Sequence, residues 1–349
     1  MRCLTLAEAL RKRGAECCFV CRDHPGNLLE LISGQGFPAF VLPLKAADTY
    51  QPLPPKESAV SPVDWLGVVW ISDAEATKVV LDARRVDWLI VDHYALDVRW
   101  ETALRSHCHK LMVIDDLADR QHDCDLLLDQ NFYVDMATRY HGLVPDTCVT
   151  LLGPAYALLR AEFIQKRREM RARDGVVRRI LVFFGGSDSK RQTEKTIHAL
   201  MRLDLSGIEV DVVIGQSNPC RERLQKLCKL NTKFTLHCQV LNMADLIHNA
   251  DLGVGAGGTA MWERCYLGLP TITVIASNNQ LCTTQDVAAR GAIVNLGCCD
   301  VLSVDDYQSA IGALVATPDR VKWIADAAVA IVPPVRASVA DRLFNLMGR

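Results

Sequence analysis

Three stretches of the chain carry residue types at spacings that can do chemistry. The most informative is ADLGVGAGGTAMWERCYLGLPTITVIASNNQ, residues 250–280. Gly253, Gly255 and Gly258 satisfy G-x-G-x-x-G after a strand-like run and at the opening of a helix, which raises a dinucleotide site. Such a site also needs an acid about twenty residues on, at the end of the next strand, to hold the adenosine ribose. Here that strand ends VIASNNQ, and the nearby acid is Glu263, one turn inside the helix. Gly255, Gly257 and Gly258 let a ligand approach the backbone, and the free amides and positive end of a helix beginning near Thr259 suit a diphosphate. Glu263 stands four residues beyond Thr259 and so projects near that end, where a carboxylate can accept from two adjacent ribose hydroxyls. Two other roles stay open: Glu263 as a surface residue paired with Arg264 or another charge, and the glycines as close helix–strand packing.

The second stretch, LVFFGGSD, is a glycine turn at a strand end, with Ser187 and Asp188 as candidate helix caps. The third set, VDHYALD and VIDDLADRQHDCD, puts Asp92, His93, Tyr94, Asp115 and Asp116 at strand C-termini. Carboxylates at such ends often cap helices, whereas a His and a Tyr beside them favour substrate contact. Cys18 and Cys21 form a C-x-x-C, but inside a strand-like run and without a second pair, so no metal site is expected.

The elements that must position these groups alternate. MRCLTLAEALRKRG reads as a helix stopped by Gly14; AECCFVCR, FPAFVLPL, VDWLIVDHY, KLMVIDDL and DLLLDQN read as strands; PGNLLELISGQG and ISDAEATKVVLDARR read as helices. Lys45–Pro62, rich in Pro and Ser, reads as a surface excursion. A connecting helix, YALLRAEFIQKRREMRARDG, separates this series from a second: ILVFFGG, VDVVIG, FTLHCQV, LGVGA and PTITVIA as strands, with helices from about Lys190, at CRERLQKLCKL, MADLIHNA and TAMWERCYLG. The expected fold class is α/β, with two Rossmann-like domains over residues 1–155 and 156–349 facing across a cleft, and a hinge near Gly153–Asp174. The last helix is expected to pack back on the first domain.

Composition narrows the function classes. The formal net charge is −2 and half the residues are hydrophobic, which excludes disorder and a large basic surface for nucleic acid. No apolar run reaches the ~20 residues of a membrane span. The fourteen cysteines are spread through apolar segments as buried thiols, so a cytoplasmic protein is expected.

Six stretches, MRCLTLAEALRKRG, VDHYALD, VIDDLADRQHDCDLLLDQN, GPAYALLRAEF, LVFFGGSD and GAGGTAMWERCYLGLPTI, occur in order over nearly the whole chain. Together they resemble the PseG family, the UDP-2,4-diacetamido-2,4,6-trideoxy-β-L-altropyranose hydrolases of pseudaminic acid biosynthesis. The resemblance implies the two-domain GT-B-like fold of glycosyltransferases and a metal-independent, cofactor-free hydrolysis of a UDP-linked sugar to UDP and free sugar. It implies Glu263 on the uridine ribose, the backbone of Gly257, Gly258 and Thr259 at the diphosphate, Asn279 and Gln280 near the diphosphate or sugar, and Met243 by the uracil. Asp92, His93 and Tyr94 would face the sugar. A UDP-sugar-dependent glycosyltransferase and a non-catalytic UDP-binding protein are the alternatives.

In that family a first strand and a glycine-rich loop ending Gly-His run shortly ahead of the Met-Arg-Cys at which this sequence opens, and that His is the proposed base. The expectation is therefore a first domain without its first strand, with neighbouring strand edges unpaired, and a chain that binds UDP but hydrolyses UDP-sugar slowly.

Overall fold

A computed structural model describes residues 1–44, 65–82, 85–334 and 338–348. The Lys45–Pro62 excursion lies outside the described residues. The chain divides into two compact units: Met1–Asn131, Asp135–Leu158 and Arg336–Arg349 form the first, Phe132–Val134 and Leu159–Val335 the second.

The first unit runs α1 (Arg2–Arg11), β1 (Phe19–Arg22), α2 (Leu29–Gly34), β2 (Ala39–Leu42), α3 (Trp70–Leu81), β3 (Val86–Val91), α4 (Val98–Leu104), β4 (Cys108–Ile114), β5 (Leu126–Asp129) and β6 (Val149–Leu152). Its strands form two all-parallel sheets, β1-β2 and β3-β4-β5-β6, which share no ladder. The runs LMVI in β4 and LLL in β5 are buried throughout, as befits parallel strands covered on both faces. Cys18 stands exposed just ahead of β1 and Cys21 lies within it, so the C-x-x-C straddles a strand boundary.

The second unit continues with α5 (Ala161–Arg167), β7 (Arg179–Phe183), α6 (Gln192–Leu200), β8 (Glu209–Ile214), α7 (Arg221–Cys228), β9 (Phe234–Cys238), α8 (Met243–Asn249), β10 (Leu252–Ala256), α9 (Thr259–Tyr266), β11 (Thr271–Ile275), α10 (Leu281–Ala289), β12 (Val294–Cys298), α11 (Val304–Val315) and α12 (Pro318–Ile331). Its parallel sheet has the order β12-β11-β10-β7-β8-β9. The chain builds outward from β7 to β9, then crosses back to lay β10 on the other side of β7, so the order reverses between β7 and β10. The last helix, α13 (Val339–Leu346), buries Val339, Ala340 and Leu343 with Leu6 and Leu10 of α1 in the first unit's core.

The connecting helix is shorter than its sequence suggests. α5 ends at Arg167, and the cationic residues beyond it turn to the C-terminus of α8 instead. There Arg171 donates to the carbonyls of His248 and Ala250, and Arg173 to that of Ile247. These carbonyls lack partners inside their own helix, and cations at a helix C-terminus are favoured by its dipole. Gly175 then turns with φ +84° against the carbonyl of Pro318, where a Cβ would stand 2.1 Å from the oxygen. No helix among the described residues is long and apolar enough to cross a membrane.

Candidate functional site

Ligands of open parallel sheets bind outside the strand C-termini where the strand order reverses. In the second unit that point lies between β7 and β10, and a glycine turn follows each strand: Gly185-Gly186 after β7 and Gly257-Gly258 after β10. Behind the first turn, Asp188 accepts from the backbone N–H of Gln192 (3.0 Å) and Thr193 (2.8 Å). It therefore caps α6, as its position predicts.

The second turn divides its glycines between two jobs. The Gly257 N–H donates to the Val274 carbonyl at 3.0 Å, extending the β10–β11 ladder by one residue. Its amide is therefore already paired within the sheet. Gly257 is required for packing: a Cβ there would stand 2.3 Å from Thr284 Oγ1. Gly258 precedes the first turn of α9 with φ −83° and ψ −162°, and the N–H groups of Gly258, Thr259 and Ala260 make no hydrogen bond to a described residue. Three orphan donors at the positive end of an eight-residue helix are what an anion uses. Gln280 borders them: its Oε1 accepts from Ala276 N–H at 3.0 Å, and its Nε2 lies 3.5 Å from where a Gly258 Cβ would be. Asn279 is half-buried in the short 3₁₀ turn Asn278–Gln280, with its Oδ1 accepting from Ser277 Oγ.

Glu263 lies on α9 with its side chain 13% exposed. Its partner is Arg160, not its neighbour Arg264: Arg160 Nε and Nη2 both donate to Glu263 Oε1, at 3.3 and 3.2 Å. Burial pushes the Glu263 carboxyl above the usual range, and Arg160 opposes that push. Arg160 also pairs with Glu162 at 2.7 Å, and Glu162 in turn accepts from the Ala244 N–H. The start of α8 is thereby tied to Glu263. Met243 is the first residue of α8 and is buried. A carboxylate with one oxygen anchored by an arginine and the other turned from it can accept from a diol.

In the first unit, Asp92, Asp115 and Asp116 follow β3 and β4 as expected, and each lies among partners of its own unit. Asp92 receives Arg2 of α1 through Nε (3.1 Å) and Nη2 (2.8 Å), and Cys3 Sγ at 3.1 Å. Arg2 Nη1 reaches Asp116 at 3.3 Å, and Tyr94 also bonds Asp116. His93 Nδ1 accepts from the Ala95 N–H at 3.1 Å while the ring also bonds the Trp65 backbone, and burial lowers its pKa. Asp115 is fully buried and accepts from Arg120, Ala118 N–H and the Tyr140 hydroxyl. The same hydroxyl lies 3.2 Å from Asp129, whose pKa burial lifts to about 7.

The model of the glycosyltransferase family 28 C-terminal domain matches residues 180–310, from β7 into α11. The UDP-2,4-diacetamido-2,4,6-trideoxy-β-L-altropyranose hydrolase of Campylobacter jejuni is 27% identical over 213 residues, 61% of this chain and 74% of that protein. The chain is thus similar to the PseG-like hydrolases. Its fold is that of the GT-B glycosyltransferases. Acinetobacter baumannii MurG superposes with a TM-score of 0.63 at 13% identity, over 99% of this chain and 95% of that one. The spinosyn rhamnosyltransferase SpnG in complex with thymidine diphosphate does so with 0.64 at 13% identity, over 100% and 96%.

Sequence reading of this PseG-like chain missed the partner of its ribose candidate. Arg160 lies inside the stretch GPAYALLRAEF, 103 positions before Glu263, and only the packing of α5 beside α9 brings them together. Thr284 beneath Gly257 was also missed, and no periodicity marks it. The signal available for Arg160 was its place in a stretch that carries the family resemblance.

Proposed function

We propose that the second unit binds the nucleotide of a UDP-sugar and that the protein hydrolyses it. In this reading the ribose hydroxyls donate to Glu263 and the diphosphate takes the N–H groups of Gly258, Thr259 and Ala260. Asn279 and Gln280 flank the diphosphate or sugar, and Met243 lies by the uracil. The observation that carries the reading is the set of three orphan amides at the strand-order reversal, with an arginine-anchored carboxylate one turn away. In hydrolysis the bond between the anomeric carbon and the phosphate oxygen breaks, water oxygen joins the carbon, its proton goes to a base, and UDP leaves with the electron pair. Amides at the positive end of α9 stabilise the charge on that leaving diphosphate. His93 Nδ1 is taken by the Ala95 N–H, and this reading does not use His93 as the base. A 2,4-diacetamido-2,4,6-trideoxy sugar is the proposed substrate, by similarity to the hydrolase, in the cytoplasm where nucleotide sugars are made.

Glycosyl transfer is the second reading, supported by structural neighbours that are transferases over the whole chain. Incubation with UDP-sugar, followed by NMR of the products with and without alcohol acceptors, separates the two. Free sugar formed without acceptor supports hydrolysis, and turnover only with acceptor supports transfer. Glu263→Ala tests the nucleotide site itself: losing hydrogen bonds to a charged acceptor is worth about 1–3 kcal/mol of UDP affinity. Calorimetry giving equal affinity would remove Glu263 from the site.

A further inference from the structure

Arg264 follows the ribose candidate on α9 but faces the opposite way, into the sheet, and is 2% exposed. Its Nη2 donates to the Ala256 carbonyl at 2.7 Å; its Nε and Nη1 have no acceptor, and no described carboxylate forms an ion pair with it. A buried cation without a counter-charge is costly, by several kcal/mol even after relaxation, and such groups persist where something else compensates them. Its location indicates what. The side chain lies across the glycines of β10: a Cβ on Gly253 would meet its Cδ at 3.4 Å, and one on Gly255 its Nη1 at 2.9 Å. Gly255 pairs with Phe183 of β7, so the guanidinium sits at the reversal of strand order, beside Ala256, the last residue of β10. Gly255 leaves room for this guanidinium beside the Phe183 carbonyl, whereas at Gly253 Thr271 and Leu269 stand closer than the arginine does. The orphan amides of α9 follow within four residues of Ala256, whose carbonyl the guanidinium binds, and both features favour negative charge.

We infer that Arg264 is an anion-positioning residue, a fixed buried positive charge at the end of β10, just ahead of the Gly257-Gly258 turn, whose field favours the diphosphate of the bound nucleotide. The inference rests on the nucleotide reading above. It adds a source of affinity for the phosphates that is separate from the amides and from Glu263. Burial lowers the Arg264 pKa to about 10, which leaves it charged at neutral pH.

The test compares UDP, uridine and inorganic pyrophosphate binding to the full chain, by calorimetry, in wild type, Arg264→Met and Arg264→Lys. Arg264→Met should lose about tenfold or more in affinity for UDP and pyrophosphate, leave uridine within twofold, and be largely rescued by lysine. Equal UDP affinity in wild type and Arg264→Met overturns the inference, as does a loss of UDP and uridine affinity to the same extent, which marks a packing role. Should Arg264→Met fail to fold, the Nε–H resonance of Arg264 in ¹⁵N-arginine-labelled wild type, assigned by its absence from the lysine variant, supplies the readout. A shift with UDP or pyrophosphate but not with uridine supports the inference; no shift, or the same shift with uridine, refutes it. Wild type that binds neither UDP nor uridine would overturn the nucleotide reading itself, whereas UDP binding that Arg264→Met leaves unchanged overturns only this inference.

Discussion

Gly258→Ala separates the two roles a glycine-rich turn can have. A Cβ at Gly258 meets only Gln280 Nε2, at 3.5 Å, an ordinary contact, and the backbone (φ −83°, ψ −162°) is open to any residue. Alanine is a poorer N-cap than glycine by about 0.5–1 kcal/mol. Against that, losing a glycine from the unfolded chain returns about 0.4–1 kcal/mol. The two effects nearly cancel, so stability should change by less than about 1 kcal/mol. The methyl group projects beside the orphan amides, where a phosphate must approach within hydrogen-bond distance. Charge-assisted hydrogen bonds contribute about 1.5–3 kcal/mol each, so weakening even one predicts a loss of about tenfold or more in UDP affinity. Gly255→Ala is the contrast: its Cβ would fall 2.3 Å from the Phe183 carbonyl inside a fully paired sheet, a clash with backbone that cannot swing away. Overpacking of that kind costs about 3 kcal/mol or more. Thermal unfolding and calorimetry with UDP on both variants read the difference. A folded Gly258→Ala protein that binds UDP within twofold of wild type would refute the assignment of these amides to the diphosphate.

Three further outcomes follow from the geometry. Glu263 holds its proton to higher pH than an ordinary carboxyl, so UDP affinity should fall on acidification before ordinary carboxylates titrate; an affinity profile by calorimetry with the same pH dependence in Glu263→Gln would contradict a charged Glu263 acceptor. Asp129 titrates near 7 in the folded state, above its unfolded value, so its contribution to stability is full below about pH 4 and is lost as pH rises through 7. Asp129→Asn, which keeps an acceptor for Asn131 N–H and Tyr140, should therefore flatten the fall in melting temperature between pH 5 and 8 by the equivalent of about 2–4 kcal/mol; a slope unchanged by the substitution contradicts the assignment. Gly175→Ala combines a left-handed backbone with a 2.1 Å approach to the Pro318 carbonyl and should destabilise by about 2–4 kcal/mol in chemical denaturation.

The sequence alone determined the alternation of strands and helices, the fold class, and the glycine turn with an acid one helical turn beyond it, because these are written in local periodicity and short spacings. It missed β6, β12 and the helices α11 and α12, although Ser303 with Asp306 is a capping box and Pro318 opens a helix. It also overran the connecting helix: charge density reads as helix in a local window, yet Arg171 and Arg173 are drawn off to cap α8, 74 to 79 positions away. Which amides are free, which acid has an arginine and which arginine has none were decided only by tertiary structure. Gly257 and Gly258 are neighbours with the same side chain, but the first continues a ladder to Val274 and the second does not. Glu263 and Arg264 are neighbours of opposite charge, yet successive residues on a helix point about 100° apart. One therefore meets Arg160 and the other lies against the glycines of β10, a division that depends on what packs around the helix rather than on its own residues.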